Sequence, residues 1–294
     1  MTEGVIIKGV GGLYSVLGPD GTMSFCSARG RFRKERLTPM VGDRVEYTHG
    51  DIDNLGMMLA IAPRSTSLTR PAVANVDKVI MALSSSPKPD MMLCEKVLVM
   101  AARQGIRPVI CLTKSDLGTQ AEQKVLTHDY GQFASVYVVS TVTKEGLEAL
   151  RKEFAGHISV FAGQSGVGKS SLLNALYPEV QLETGALSER IARGRHTTRH
   201  AQLLVLPGGG MVMDTPGFSL MELPLMAPQE LADAYPDYAL YKHQCRFPDC
   251  KHGDEPGCAV KAAAEAGALS IDRHDRYCKL LSEVTQKWRN RYRE

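Results

Sequence analysis

Gly163-Gln164-Ser165-Gly166-Val167-Gly168-Lys169-Ser170, followed by Ser171, lies between an apolar stretch and a segment of helical character. No other feature restricts the fold so tightly. A Gly-x4-Gly-Lys-Ser loop needs a buried strand before it and a helix after it, so that backbone N–H groups and a helix N-terminus surround a phosphate. Ile158-Ser159-Val160-Phe161-Ala162 reads as that strand and 170–176 as that helix. In such a loop Lys169 reaches the β- and γ-phosphates of a nucleoside triphosphate and Ser170 holds Mg2+.

Two more segments complete a nucleotide site. Upstream, Thr113-Lys114-Ser115-Asp116 ends an apolar run, and Ser140 ends the next one. The Asp116 carboxylate can accept from both the ring N1–H and the exocyclic amine of guanine, a donor pair that adenine lacks. Lys114 would lay its stem over the base and Ser140 would assist from the neighbouring loop. Thr113 stands where such motifs usually carry Asn; the expected effect is looser bracing of the loop with the base contact intact. Downstream, Asp214-Thr215-Pro216-Gly217 follows another apolar run, with Asp214 suited to hold Mg2+ and the Gly217 N–H to sense the γ-phosphate. An ordinary guanine-nucleotide switch places the phosphate loop first and the base-reading motif last. Here the order is rotated, which predicts a circularly permuted GTPase.

Between the phosphate motifs runs Glu189–Arg199, polar and basic without clear periodicity. Such a loop can order when the γ-phosphate and Mg2+ draw in a threonine, here Thr197 or Thr198. After Asp-x-Pro-Gly, Phe218 occupies the place where many GTPases carry a water-orienting Gln. An aromatic ring cannot orient water, so another group must act. His196 is the candidate within the chain; a partner is the alternative.

Along the chain the texture changes twice. Residues 1–68 read as short strands at Val5–Ile7, Leu13–Leu17, Thr22–Cys26, Arg44–Tyr47 and Met57–Ile61, with glycine-rich turns and no convincing helix. That pattern suits a small barrel of the OB type, with a sandwich or an SH3-like barrel as alternatives. Residues 69–225 alternate apolar strands with helices, a doubly wound α/β domain whose motifs all sit at strand carboxyl ends. From 226 onward short helical pieces lead to a last helix capped by Ser270, with Tyr277, Leu280, Leu281, Val284 and Trp288 at helical spacing on its core face.

Cys245-x4-Cys250-x-His252-x5-Cys258 offers three thiolates and one imidazole, a full tetrahedral set for Zn2+ with no position left for water. The metal is therefore expected to be structural. Cys26, Cys94, Cys111 and Cys278 read as small buried hydrophobes.

The 294 residues are 44% hydrophobic and 23% charged, with a net charge of +3. No apolar run approaches the roughly 20 residues that cross a bilayer. No export signal is evident at the start, so a cytoplasmic, membrane-free protein is expected. Arg29–Arg36 packs five basic groups, one acid and Phe32 into eight residues, and Arg273–Glu294 carries seven basic groups against three acids. Basic groups beside an aromatic suit contact with RNA.

Taken together, these motifs closely resemble the RsgA (YjeQ) family of small ribosomal subunit-dependent GTPases. The resemblance rests on Arg29-Gly30-x-Phe32-Arg33-Lys34, Val41-Gly42-Asp43, the permuted motif order, Gly194-Arg195-His196-Thr197-Thr198, and the Cys/His cluster with Cys258-Ala259-Val260. It implies an OB-fold N-terminal domain (1–68), a permuted GTPase domain (69–225) and a zinc-binding helical domain (226–294). It further implies late maturation of the small ribosomal subunit, contact with its rRNA, hydrolysis stimulated by that subunit, and His196 as the catalytic histidine. A monomer is expected. Two other functions fit some of the residues: an RNA-binding module whose nucleotide site hydrolyses little, and a P-loop kinase or ATPase. Asp116 and Ser140 argue against the latter.

Overall fold

Five strands with alternating inward positions close the N-terminal segment into a barrel: β1 (Thr2–Val10), β2 (Leu13–Leu17), β3 (Met23–Ala28), β4 (Arg44–Tyr47) and β5 (Gly56–Ile61), in the order β1-β2-β3-β5-β4. Strand β1 pairs antiparallel with both β2 and β4, and β3 closes on β5 in parallel. Ile6, Val16, Cys26, Val45, Tyr47 and Met58 fill the interior. Closure leaves no free sheet edge. The sequence predicts no helix here, yet Gly30–Lys34 forms one short helix, α1, between β3 and β4. Its Phe32 is buried in the barrel core. Phe32, the aromatic among those basic groups, is therefore a core residue, whereas Arg29 and Arg31 are exposed.

This computed structural model describes residues 2–34, 37–69, 71–180, 202–213 and 222–291. The chain divides into two compact units, Met1–Val79 with Glu148–Phe161 and Ser170–Gly217, and Ile80–Leu147 with Ala162–Lys169 and Phe218–Glu294. Besides the barrel, the first unit holds a small hairpin, β6 (Ser67–Thr69) and β7 (Ala72–Ala74), and the helix α4 (Leu147–Arg151). It also holds β11 (Ile158–Ala162), β12 (Leu203–Val205) and β13 (Met211–Met213), with β11 parallel and β12 antiparallel to β13. The expected hairpin at 203–213 is present.

In the second unit β8 (Lys78–Ser84), β9 (Arg107–Thr113) and β10 (Ser135–Val138) lie side by side, β9 and β10 in parallel. Strand β8 is buried along its whole length, as a strand covered on both faces must be. Helix α2 (Met91–Gln104) starts at Asp90, whose side chain accepts from the Leu93 N–H, and stops at Gly105 in the left-handed conformation. Helix α3 (Gln120–Tyr130) follows β9; α5 (Lys169–Leu176) follows the phosphate loop and from Ser170 onward belongs to the first unit.

Residues 222–291 contribute α6 (Pro228–Asp233), α7 (Ala259–Glu265) and α8 (Ile271–Asn290). Ser270 caps α8 through the Arg273 N–H, and Tyr277, Leu280 and Val284 form its buried face. The charge of α8 is not all at the surface. Arg273 is buried against Glu95 of α2, at 3.4 Å, and against Asp237, while the rings of Tyr130, Phe133 and Tyr235 surround its guanidinium. Arg276 bonds Glu95 (3.1 Å) and Asp129 (3.2 Å). Two of the seven basic groups expected to contact RNA are therefore internal counter-ions. Among the described residues no helix is long and apolar enough to cross a membrane.

Candidate functional site

The phosphate loop leaves β11 at Gly163, whose φ is +130°. A Cβ there would lie 2.3 Å from the Ala82 carbonyl, so only glycine allows this approach. Lys169 opens α5 and donates from Nζ to the carbonyls of Gly163 (2.6 Å) and Gln164 (2.8 Å). Burial lowers its pKa to about 8. The Gln164 side chain bonds sideways, its Oε1 accepting from the Asp90 N–H (2.6 Å) and its Nε2 donating to the Lys88 carbonyl (2.9 Å). Its amide group is thus engaged with the segment ahead of α2.

Strand β9 delivers Thr113 to the same loop. The Thr113 hydroxyl is buried and shared between the carbonyls of Leu83 (3.0 Å) and Val167 (2.6 Å). A hydroxyl thus reaches the Val167 carbonyl of that loop and braces it. Lys114, at φ +61°, sends Nζ to the carbonyls of Ser86 (2.5 Å) and Gly166 (3.0 Å), so its stem spans from the base-reading segment to the phosphate loop. Asp116 is exposed, and its Oδ1 accepts from the buried Ser140 hydroxyl at 2.5 Å. Ser140 Oγ in turn accepts from the N–H groups of Val142 and Thr143, each at 3.1 Å. The remaining lone pairs of the carboxylate are free to accept a pair of donors.

The structure thus joins Thr113, Lys114 and the phosphate loop by direct bonds, and Asp116 to Ser140. His196, Thr197, Thr198, Asp214, Gly217 and Phe218 lie outside the described residues. Sequence reasoning missed Ser115 and Glu145. Ser115 Oγ donates to Glu145 Oε2 at 2.8 Å. No local pattern marks this pair, because the two residues meet only when the ends of β9 and β10 lie side by side.

The second cluster is the Cys/His set. One ligand atom each from Cys245, Cys250, His252 and Cys258 lie within 4.8 Å of one another. Cys245 Sγ and Cys258 Sγ are each 3.6 Å from His252 Nδ1. A zinc tetrahedron has edges of about 3.5 Å from sulfur to nitrogen and about 3.8 Å between sulfurs, so the donor set fits that ion. His252 turns its ring inward at φ +60° and is buried, which lowers its pKa and keeps the imidazole neutral, as a ligand must be. Burial pushes the Cys250 thiol up to about 12, a shift that a cation would reverse. Cys258 Sγ also accepts from the Lys261 N–H (3.4 Å), so one sulfur is both candidate ligand and N-cap of α7.

A Gly-x4-Gly-Lys-Ser loop at the end of a parallel strand, preceded in the chain by the Thr113–Asp116 turn, is the arrangement of a circularly permuted GTPase. The model of the RsgA GTPase matches residues 61–224 and that of the RsgA N-terminal domain matches 3–57. The chain belongs to the RsgA GTPase family, and GTP, GDP and Mg2+ binding go with it. Among its relatives is the small ribosomal subunit biogenesis GTPase RsgA of Geobacillus thermodenitrificans, 44% identical over 98% of this chain and 99% of that one. The protein of the same name from Alkaliphilus metalliredigens is also 44% identical, over 98% of this chain and all (100%) of the other. The crystal structure of YjeQ from Thermotoga maritima superposes with a TM-score of 0.85 at 36% identity, covering 97% of this chain and 98% of that one. YloQ, described as a circularly permuted GTPase, gives 0.81 at 35% identity, over 98% and 96% of the two chains.

Proposed function

We propose that this GTPase acts on the small ribosomal subunit late in its assembly, touching the rRNA and using its nucleotide state to time release. What supports the reading is the bonding of Asp116 to Ser140 and of Thr113 to the Gly-x4-Gly-Lys-Ser loop, in a chain 44% identical over nearly its whole length to a GTPase named for biogenesis of that subunit. The working protein is a cytoplasmic monomer in three parts, with an OB domain over 1–68, the GTPase over 69–225 and a helical zinc domain over 226–294.

Asp116 pairs with the guanine edge, Lys114 covers the ring, and Ser140 orients the carboxylate. The backbone of Gly163–Ser171 wraps the phosphates, with Lys169 on the β- and γ-phosphates. Ser170, Asp214 and Thr197 or Thr198 would hold Mg2+, which neutralises charge on the phosphates. Gly217 senses the γ-phosphate, and His196 orients the attacking water in place of the Gln that Phe218 displaces. Ordering of Glu189–Arg199 by GTP favours the subunit-bound form, and hydrolysis reverses it. Zn2+ held by Cys245, Cys250, His252 and Cys258 keeps the helical part folded. Exposed Arg29 and Arg31 face the rRNA phosphates.

The test is GTP turnover with and without purified small subunits, in wild type and His196→Ala. Stimulation in wild type and its loss in the variant are expected. Turnover that ignores the subunit overturns the ribosomal reading. Binding of RNA without turnover would favour the nucleotide-sensing alternative.

A further inference from the structure

The two loops that face the base are closed into a circuit by a residue with no assigned role. Ser115, next to Asp116, donates its backbone N–H to the Val139 carbonyl at 3.1 Å and its hydroxyl to Glu145 Oε2 at 2.8 Å. The Glu145 carbonyl accepts from the Ser140 N–H at 3.1 Å, and the Ser140 hydroxyl returns to Asp116 Oδ1 at 2.5 Å. Asp116, Ser140, Glu145 and Ser115 thus form one hydrogen-bonded ring around the tip of the base-reading turn.

The turn that presents Glu145 is narrowly determined. Its neighbours Lys144 and Gly146 both have left-handed backbones, with φ of +66° and +70°. A Cβ on Gly146 would lie 2.1 Å from the Val138 carbonyl, so the chain can take this path only with glycine there. The Glu145 N–H also points back into the loop, toward Thr143 Oγ1 at 3.5 Å. The side chain is therefore delivered to Ser115 by its backbone and does not reach it by chance. Asp116 itself sits in a one-turn 3-10 segment, Ser115–Leu117, with no buried side chain to hold it. That segment is fixed by the Ser140 hydroxyl on Asp116 itself and, one residue earlier, by the Ser115 backbone bond and the clamp from Glu145.

We propose that Glu145 is a positioning residue for guanine selection. It holds Ser115, and through it the Asp116 carboxylate, at the angle that meets both donors of the base. The proposal rests on Asp116 being the guanine acceptor. A carboxylate held at one angle rewards a ligand that offers two donors. Once the clamp is gone, the carboxylate swings and the second bond suffers first. Inosine diphosphate lacks the exocyclic amine and makes only one of the two bonds, so the ratio of GDP to IDP affinity reports the alignment.

The experiment uses the full chain, with a fluorescent GDP analogue displaced by GDP or IDP. Glu145→Ala is expected to lower the GDP/IDP affinity ratio about five-fold, as is Ser115→Ala, and the double variant to lower it no further than either single one. Glu145→Gln keeps an acceptor oxygen for the Ser115 hydroxyl and should hold the ratio within about two-fold of wild type. A Glu145 that merely stiffened the loop would weaken both diphosphates equally and leave the ratio unchanged. That result in Glu145→Ala overturns the proposal. Asp116→Ala is the control. If it erases the ratio and Glu145→Ala does not, only the role of Glu145 falls; if Asp116→Ala itself leaves the ratio intact, the guanine reading fails and the proposal with it.

Discussion

The hydroxyl of Thr113 lies 2.6 Å from the carbonyl of Val167, tying the end of β9 to the middle of the phosphate loop. The bond is buried, and without it the Val167 carbonyl would face Thr113 unpaired. Thr113→Val keeps the shape and removes the donor. We expect guanine-nucleotide affinity to fall about ten-fold, from roughly 1–2 kcal/mol of lost bracing. Thr113→Asn, which restores a donor, should bind close to wild type. Titration with a fluorescent GDP analogue checks both.

Lys169 gives the nucleotide a pH dependence of known sign. Burial holds its pKa at about 8 in the protein alone, and the phosphates raise it. The bound state therefore keeps a proton that the free state loses above that pH, and binding takes up a proton there. Affinity for GDP should be level below pH 8 and fall as pH rises from 8 to 9. Lys169→Arg, charged throughout this range, should flatten the profile. Calorimetric titration at several pH values measures it.

Glu95 is fully buried between Arg273 and Arg276 of α8. Removing it leaves Arg273 with Asp237 and Arg276 with Asp129 as their remaining carboxylates in a buried site, and Glu95→Ala should cost about 3 kcal/mol. The urea midpoint is the measurement. Lys287→Ala, which loses only the exposed pair with Glu222, should shift it by less than about 1 kcal/mol.

The Cys/His cluster should hold one zinc per chain, read by elemental analysis of the purified protein. A strong chelator, or Cys258→Ser, should lower the melting temperature, the substitution also weakening the cap on α7. Retention of the same melting temperature after complete zinc removal would contradict a structural metal.

Much of this architecture is legible in the sequence, because its signals are local. The phosphate loop and its flanking strand and helix, the barrel strands and the Cys/His spacing each lie within a short window. What stays hidden depends on contacts between distant segments. Phe32 reads as part of a basic surface, yet the turn of α1 points it into the barrel. Arg273 and Arg276 read as surface charge until Glu95, Asp129 and Asp237 come to meet them. Thr113 reads as weaker than Asn, but a hydroxyl suffices where the Val167 carbonyl comes this close. Helix α3 leaves little trace in the sequence because it is polar nearly all round, burying only Leu126, Asp129 and Tyr130.

Helix α2 has a further consequence. Its capping residue Asp90 gives its N–H to Gln164, and less than two turns later the same helix carries Glu95, the counter-ion of α8. The first turns of a single helix thus touch both the Gly-x4-Gly-Lys-Ser loop and residues 271–290.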